Sequence, residues 1–328
     1  MKDRLPDAAT EKRLEDLRAE AARTGIVAGK GLHPPGAPFP IASAASGYYG
    51  LPLLKEPTWT WEIPVYFFVG GAAGIAAVLG SAAQLTGGDR ELIRHARWIA
   101  AGGAALSAPL LIADLGRPER FLNMLRVFKP QSPMSVGAWT LAAFGTFSSA
   151  AALAEELRRR TDLPVRLVGN VAALLAAGSG LVLSSYTGVL LGATAIPVWS
   201  SHARFLPMHF AASSLASSIS VLQLLGHDER GMQALAIAAA AFESHSAWKI
   251  ARSNDRASAP LRRGSSGMTT AIGAVLSGPL PLALRIAGVR SRRARRMAAV
   301  SSILGSLMTR LAWIDAGKAS ARDPEVAL

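Results

Sequence analysis

The sequence predicts an all-α integral membrane protein, a bundle of about eight transmembrane helices, each needing roughly 20 apolar residues. Three observations carry that reading. Ile63 to Leu85 contains no charged residue and is long enough to cross a bilayer as a helix, and Trp98 to Ala113 is equally free of charge. Half the residues are apolar but only 6% are aromatic, with abundant Ala, Ser and Gly. Small residues let helix backbones approach closely in lipid. The apolar runs are also continuous, where a soluble Ala-rich protein would show amphipathic stripes.

In chain order, residues 1–46 read as a polar N-terminal tail that could serve as a docking arm. Glu11 to Ala22 fits a short surface helix, and the Pro-rich piece from His33 to Pro40 is extended linker chemistry. The first 30 residues lack the apolar core of a signal peptide. Tyr48 to Trp61 is aromatic and Pro-rich, with Trp59 and Trp61 as expected interfacial anchors. A transmembrane domain over 47–315 follows, with spans at 62–85, 95–114, 134–154, 167–191, 205–225, 231–250, 268–288 and 297–315. The sixth is the least apolar, bearing Glu243 and His245, and Pro279 and Pro281 predict a kink in the seventh. Residues 316–328 form a short polar tail.

The net charge is +13. Most arginines fall between apolar runs, so this charge is read as orientation by the positive-inside rule rather than as a nucleic-acid surface. Arginines are modestly commoner in the loops after odd spans, which makes that side cytoplasmic and puts both termini on the outer, periplasmic side. The absence of cysteine excludes disulfides, a thiolate nucleophile and cysteine-ligated iron–sulfur clusters in this chain.

The span order places the unusual polar groups at one membrane face. Glu62 begins span one, Asp114 ends span two, and Tyr186 and Thr187 lie near the end of span four. His209 lies near the start of span five, Glu243 and His245 lie near the end of span six, and Arg310 sits in the last third of span eight, with Asp315 just beyond. Ionisable groups at membrane depth are expensive and mark functional sites by default. Glu243 and Arg310 are the deepest, and each needs a partner, which could be the other. Such a cluster suits a polar head on an apolar molecule, as in a quinone, whose carbonyls need Tyr or His donors and whose redox chemistry moves protons. Blander readings fit several positions. Asp114 with Arg117 also reads as a helix-end pair, Tyr186 as an interface residue, His209 as a packing histidine, and Gly70-x-x-x-Gly74 as helix packing. His209 and His245 could alternatively ligate a haem iron. No metal site is expected.

Four blocks resemble the NrfD / polysulfide reductase membrane-subunit family. They are Tyr49-Gly50-Leu51-Pro52 to Trp59 with Glu62-Ile63-Pro64-Val65-Tyr66, Asp114-Leu115-Gly116-Arg117-Pro118, Ser132-Pro133-Met134-Ser135 with Gly137-Ala138-Trp139, and Ser185-Tyr186-Thr187-Gly188 with Pro197-Val198-Trp199. The final third is similar only in hydropathy and in Arg310. The resemblance implies about eight helices and a bound, exchangeable menaquinone or ubiquinone, with no haem or iron–sulfur cluster in this chain. It also implies an iron–sulfur electron-transfer subunit and a molybdopterin catalytic subunit as partners in a bacterial inner-membrane respiratory complex. By the same resemblance Asp114 and Arg117 match the signature loop after span two, Tyr186 matches a tyrosine near the quinone site, and Glu243 stands about where an acidic quinone-site residue does. His209 rests on topology alone.

The expected function is therefore a quinone-interacting membrane anchor that exchanges electrons between quinone and an iron–sulfur partner. Two alternatives stay open. One is a proton-translocating or transporter module with Glu243 and Arg310 as its charge relay. The other is a structural anchor without quinone.

Overall fold

The computed structural model describes residues 54–115, 118–161, 164–288 and 291–323. The expected tail helix at 11–22 and the block at 49–52 lie outside them, as do Gly116 and Arg117. Among the described residues the chain is helical throughout. Long helices run over Glu62–Leu85 (α1), Arg90–Ala113 (α2), Pro133–Arg160 (α3) and Arg166–Gly192 (α4). A short helix, Pro197–Ser201 (α5), leads into Leu206–Leu224 (α6), Arg230–Arg252 (α7), Gly264–Ser277 (α8), Pro279–Ala287 (α9) and Arg292–Arg322 (α10).

Local chemistry sets these boundaries. Asp89 caps α2 by accepting from the Leu92 N–H, and Ser132 caps α3 by accepting from Ser135 N–H, with Pro133 at the first helical position. The Ser-Pro-Met-Ser block is thus a helix start. Ser291 caps α10 in the same way. Arg158, Arg159 and Arg160 close α3 at the negative end of its dipole.

Six helices are long and apolar enough to cross a membrane: α1, α2, α3, α4, the α8–α9 pair taken together, and α10. The protein is a multi-pass membrane protein. Helices α6 and α7 occupy the places expected for spans five and six, but Ser, Gln, Glu, His and Lys dilute their apolar character. Burial explains why α6 tolerates this: Ser213, Ser214, Ser217, Ser218 and Ser220 all face protein rather than lipid. The kink expected in span seven is a break at Gly278, with Pro279 restarting the helix. The last helix continues to Arg322, past the expected end of span eight at 315.

The bundle is built for lipid. On α4, Leu167, Val168, Val171, Leu174, Leu175, Leu181 and Val182 are exposed, while Gly169, Ala172, Ala173, Ala176 and Gly180 are buried. Large apolar groups thus face outward, and small ones line the packing seam. At the tightest point Gly74 of α1 and Gly180 of α4 meet backbone to backbone, and a Cβ on either would overlap the other chain segment. Helices α1 to α4 pack as one group and α6 to α10 as another, joined where α1 and α4 meet α6 and where α1 meets α10.

Two sequence expectations change at this level. Trp59 is not a free interfacial anchor: it stacks on Trp199 with ring centroids 5.5 Å apart and meets Phe67 edge-on. Trp61 remains exposed. Arg97, which directly precedes the apolar run from Trp98 and fits the orienting arginines between runs, is buried within α2 and pairs with Glu155 of α3 at 2.9 Å.

Candidate functional site

Of the polar residues expected at one face, Asp114 and Tyr186 line one cavity and His209 and Glu243 line another. The smaller, about 70 Å³, is bounded by Trp59, Tyr66, Asp114, Met124, Met134 and Tyr186, among other residues of α1, α2, α3 and α4. The larger, about 300 Å³, lies among α6, α7, α8 and α10 and is lined by His209, Glu243, Ser277, Thr309 and Trp313 with several alanines. The two share no lining residue. Between them stands an aromatic wall: Trp59 stacks on Trp199, Phe67 tilts against Phe210 at 6.4 Å, and the Trp199 indole N–H donates to the Trp313 carbonyl oxygen at 2.7 Å.

In the smaller cavity Tyr186 is buried and its phenol makes no hydrogen bond to the described residues. Its ring fits because residue 137 is glycine: a Cβ there would overlap the ring and the hydroxyl. Asp114 caps the end of α2, and its Oδ1 accepts from the Thr60 backbone N–H at 3.3 Å. Burial raises the Asp114 carboxyl above the usual carboxylate range, the Thr60 N–H lowers it, and nearby Glu62 raises it further. An acid so placed can hold a proton beside a neutral donor. Tyr66, buried on α1, lines the same cavity and was not among the sequence candidates. Its signal was its place in the block following Glu62. Arg117 lies outside the described residues.

In the larger cavity His209 Nδ1 and Glu243 Oε1 are 3.3 Å apart. Their side chains are almost wholly buried, at 4% and 2% exposure for the two residues. Ser277 donates to Glu243 Oε2 at 3.2 Å. The imidazole is stacked on Phe205 at 5.1 Å. His245 is exposed and stacks on Trp248. Two residues of helix turn by about 200°, so His245 points away from Glu243 and is not brought to His209. Among the described residues no group of three or more His, Cys, Asp or Glu side chains is placed to hold a metal ion.

Arg310 does not pair with Glu243. Its Nη2 donates to the Phe210 carbonyl oxygen at 2.8 Å and to Ser214 Oγ at 3.1 Å, and its guanidinium lies 3.9 Å from the Phe210 ring centroid. Arg285, buried like Arg97 and Arg310, was not among the sequence candidates. It donates to Gln223 at 2.8 Å, Gln233 at 2.9 Å and Ser220 at 3.2 Å.

Comparison with protein families gives a match between residues 54–228 and the family described as polysulphide reductase, NrfD. The match covers more than half the chain and contains Tyr66, Asp114, Tyr186 and His209, whereas Glu243 and Arg310 lie beyond it. No curated protein matches the chain.

Proposed function

The chain belongs to the polysulphide reductase NrfD family, membrane subunits of oxidoreductase complexes, and on that premise we propose that it is the quinone-reactive anchor of a respiratory complex. In this reading the head of a menaquinone or ubiquinone enters the Tyr186 cavity. An iron–sulfur subunit docks over the loop after α2 and passes electrons to or from a molybdopterin catalytic subunit. The membrane is the bacterial inner membrane, with both termini on the periplasmic side.

The observation that carries this reading is the meeting of Tyr186 and Asp114 in one cavity at the bundle end that bears the signature loop. Two groups suited to a quinone stand there, a phenol O–H that can donate to a carbonyl oxygen and a carboxyl poised to exchange a proton. Quinol oxidation releases two electrons and two protons. The electrons leave for the partner's cluster, Asp114 can take one proton, and the other passes to solvent at the exposed Thr60 beside it. Met124 and Met134 are soft wall residues that can yield to a ring. The test is Tyr186→Phe in the assembled complex. Quinone turnover should fall about tenfold or more, as for loss of one well-placed donor, with subunit assembly unchanged. Unaltered quinone kinetics would remove Tyr186 from the site.

A proton-moving role is the second reading, and one observation favours it. Buried serines of α6 lie between the two arginines: Ser214 accepts from Arg310, Ser213 meets Ser306 of α10 at 2.5 Å, and Ser220 accepts from Arg285, while the Ser217 and Ser220 hydroxyls donate to backbone carbonyls of their own helix. Proteoliposomes carrying a pH-sensitive dye would register quinol-driven proton movement, and its absence would set this reading aside.

A further inference from the structure

A third cavity, about 400 Å³, is lined by Gln223 of α6, Gly226 and Asp228 of the loop after it, and Arg292, Arg295 and Arg296 in the first turns of α10. Helix α10 runs from this cavity to Trp313 and Ser320, which hydrogen-bond to α5 beside the aromatic wall. The cavity therefore stands at the end of the bundle opposite Tyr186.

Its charge is out of balance. Arg295 Nε lies 2.5 Å from Asp228 Oδ2. Arg292 and Arg296 are exposed and form no ion pair with a described residue. Arg285, 1% exposed, donates to Gln223 and Gln233 rather than to a carboxylate, and its Nε makes no hydrogen bond. Asp228 is also the acid whose charge acts on Arg285. One carboxylate thus serves four guanidinium groups. Asp89 and Glu229 stand by His227 and do not line the cavity. A recess with surplus positive charge concentrates anions, and the start of a long helix adds its own positive end. Guanidinium forks match phosphate oxygens two at a time.

The surroundings favour an anion that brings hydrocarbon with it. Arg292, Arg296, Val300 and Leu304 recur every four residues on one ridge of α10, and all four are exposed. Helix α10 is long and apolar enough to cross the membrane, so this ridge passes from guanidinium groups directly into lipid. Ile286, next to Arg285, and Leu224, next to Gln223, are exposed as well. A soluble anion has no use for that apolar border.

We propose that this cavity holds the phosphodiester headgroup of an anionic phospholipid, with an acyl chain lying along Val300 and Leu304. Phosphate oxygens accept from Arg292 and Arg296, while Arg295 stays paired with Asp228. The bound lipid braces the α6–α7 loop against the start of α10, as the Asp228–Arg295 pair does. Neither Tyr186 nor Asp114 takes part, so this site and the quinone reading can fail separately.

The test uses the full chain purified with its subunits, stripped of lipid in detergent and titrated with dioleoyl phosphatidylglycerol. Native mass spectrometry and thermal unfolding read the outcome. Saturable binding with a rise in the melting midpoint is the expected result, since a ligand of the folded state stabilises it. Phosphatidylcholine with the same chains should give neither. Arg292→Gln combined with Arg296→Gln should raise the half-saturating concentration about tenfold or more, for loss of two charge-assisted contacts. Arg90→Gln combined with Arg166→Gln removes the same charge from exposed helix starts at the same end of the bundle, outside the cavity, and should leave binding unchanged. Equal weakening by both double variants would overturn the site in favour of general attraction to a basic face. Glycerol phosphate or inorganic phosphate that displaces the lipid and gives the same rise at a similar concentration would overturn the lipid in favour of a soluble anion. Phosphatidylcholine that binds as tightly, or phosphatidylglycerol that does not bind, would overturn the proposal outright.

Discussion

The Tyr186 ring occupies the space that a side chain at position 137 would fill. Gly137 of α3 therefore fixes where the phenol of α4 can lie. Gly137→Ala should shift the ring and destabilise the bundle by about 1–3 kcal/mol, the usual cost of overpacking. Quinone turnover should fall in parallel with Tyr186→Phe. A crystal or cryo-EM structure of the variant with Tyr186 unmoved would refute the link.

Arg97 and Glu155 form a buried pair at 2.9 Å, extended by Gln84 at 2.6 Å and by Asn170 at 3.3 Å. Removing Glu155 leaves the Arg97 charge uncompensated among apolar helices, at about 3–5 kcal/mol, whereas removing Arg97 leaves Glu155 paired with Arg158 at 2.6 Å. Glu155→Ala should therefore lower the thermal midpoint in detergent strongly, and Arg97→Ala less. Replacing both by Met and Leu should recover most of the loss, because a packed apolar pair replaces a desolvated ionic one. A double variant as unstable as Glu155→Ala would contradict this.

The pair of His95 and His227, with ring nitrogens 2.7 Å apart, predicts a pH dependence of stability. Burial lowers the His227 imidazole below its ordinary value, and the neighbouring His95 lowers it further. The folded state thus binds this proton less tightly than the unfolded chain. Its stability is full above the ordinary histidine value of about 6.5 and is lost as pH falls through that value toward the depressed one. Melting curves at falling pH should show this loss, and His227→Gln should flatten it.

Asp114 has the opposite sign. Its raised carboxyl binds a proton more tightly folded than unfolded, so stability falls as pH rises from the ordinary aspartate value of about 4 to the raised one. The pH profile of quinone turnover should carry a limb above the ordinary carboxylate range. Asp114→Asn should abolish both that limb and the stability change. A limb that persists in the variant would assign it to another group.

Particular residues show how far the sequence could be read. The one-sided placement of Asp114, Tyr186, His209 and Glu243 follows from counting spans, because alternate helix ends must return to the same face. That Glu243 and His245 cannot both face His209 also follows, since two helical residues face opposite ways, but that Glu243 is the one to meet it was not legible. The division into two cavities does not follow. It depends on Trp59 turning inward onto Trp199, which sits on the short helix α5, and no periodicity reports that contact. The pairing of Arg97 with Glu155 was equally hidden, because both stand near span ends where charge is ordinarily solvated. Arg310 looked like the partner of Glu243 by depth alone, but its Nη2 donates to a backbone carbonyl and a serine hydroxyl instead, and its buried Nε and Nη1 make no hydrogen bond.

The central claim is electron exchange between quinone and a docked iron–sulfur partner. The direct measurement is to purify the tagged protein from its native host with its associated subunits and follow their cluster spectra as quinol or quinone is added. Co-purified clusters that change oxidation state on addition, and that do so far more slowly with Tyr186→Phe, are the predicted result. A chain that purifies without any iron–sulfur subunit, or clusters indifferent to both forms of quinone, would contradict it.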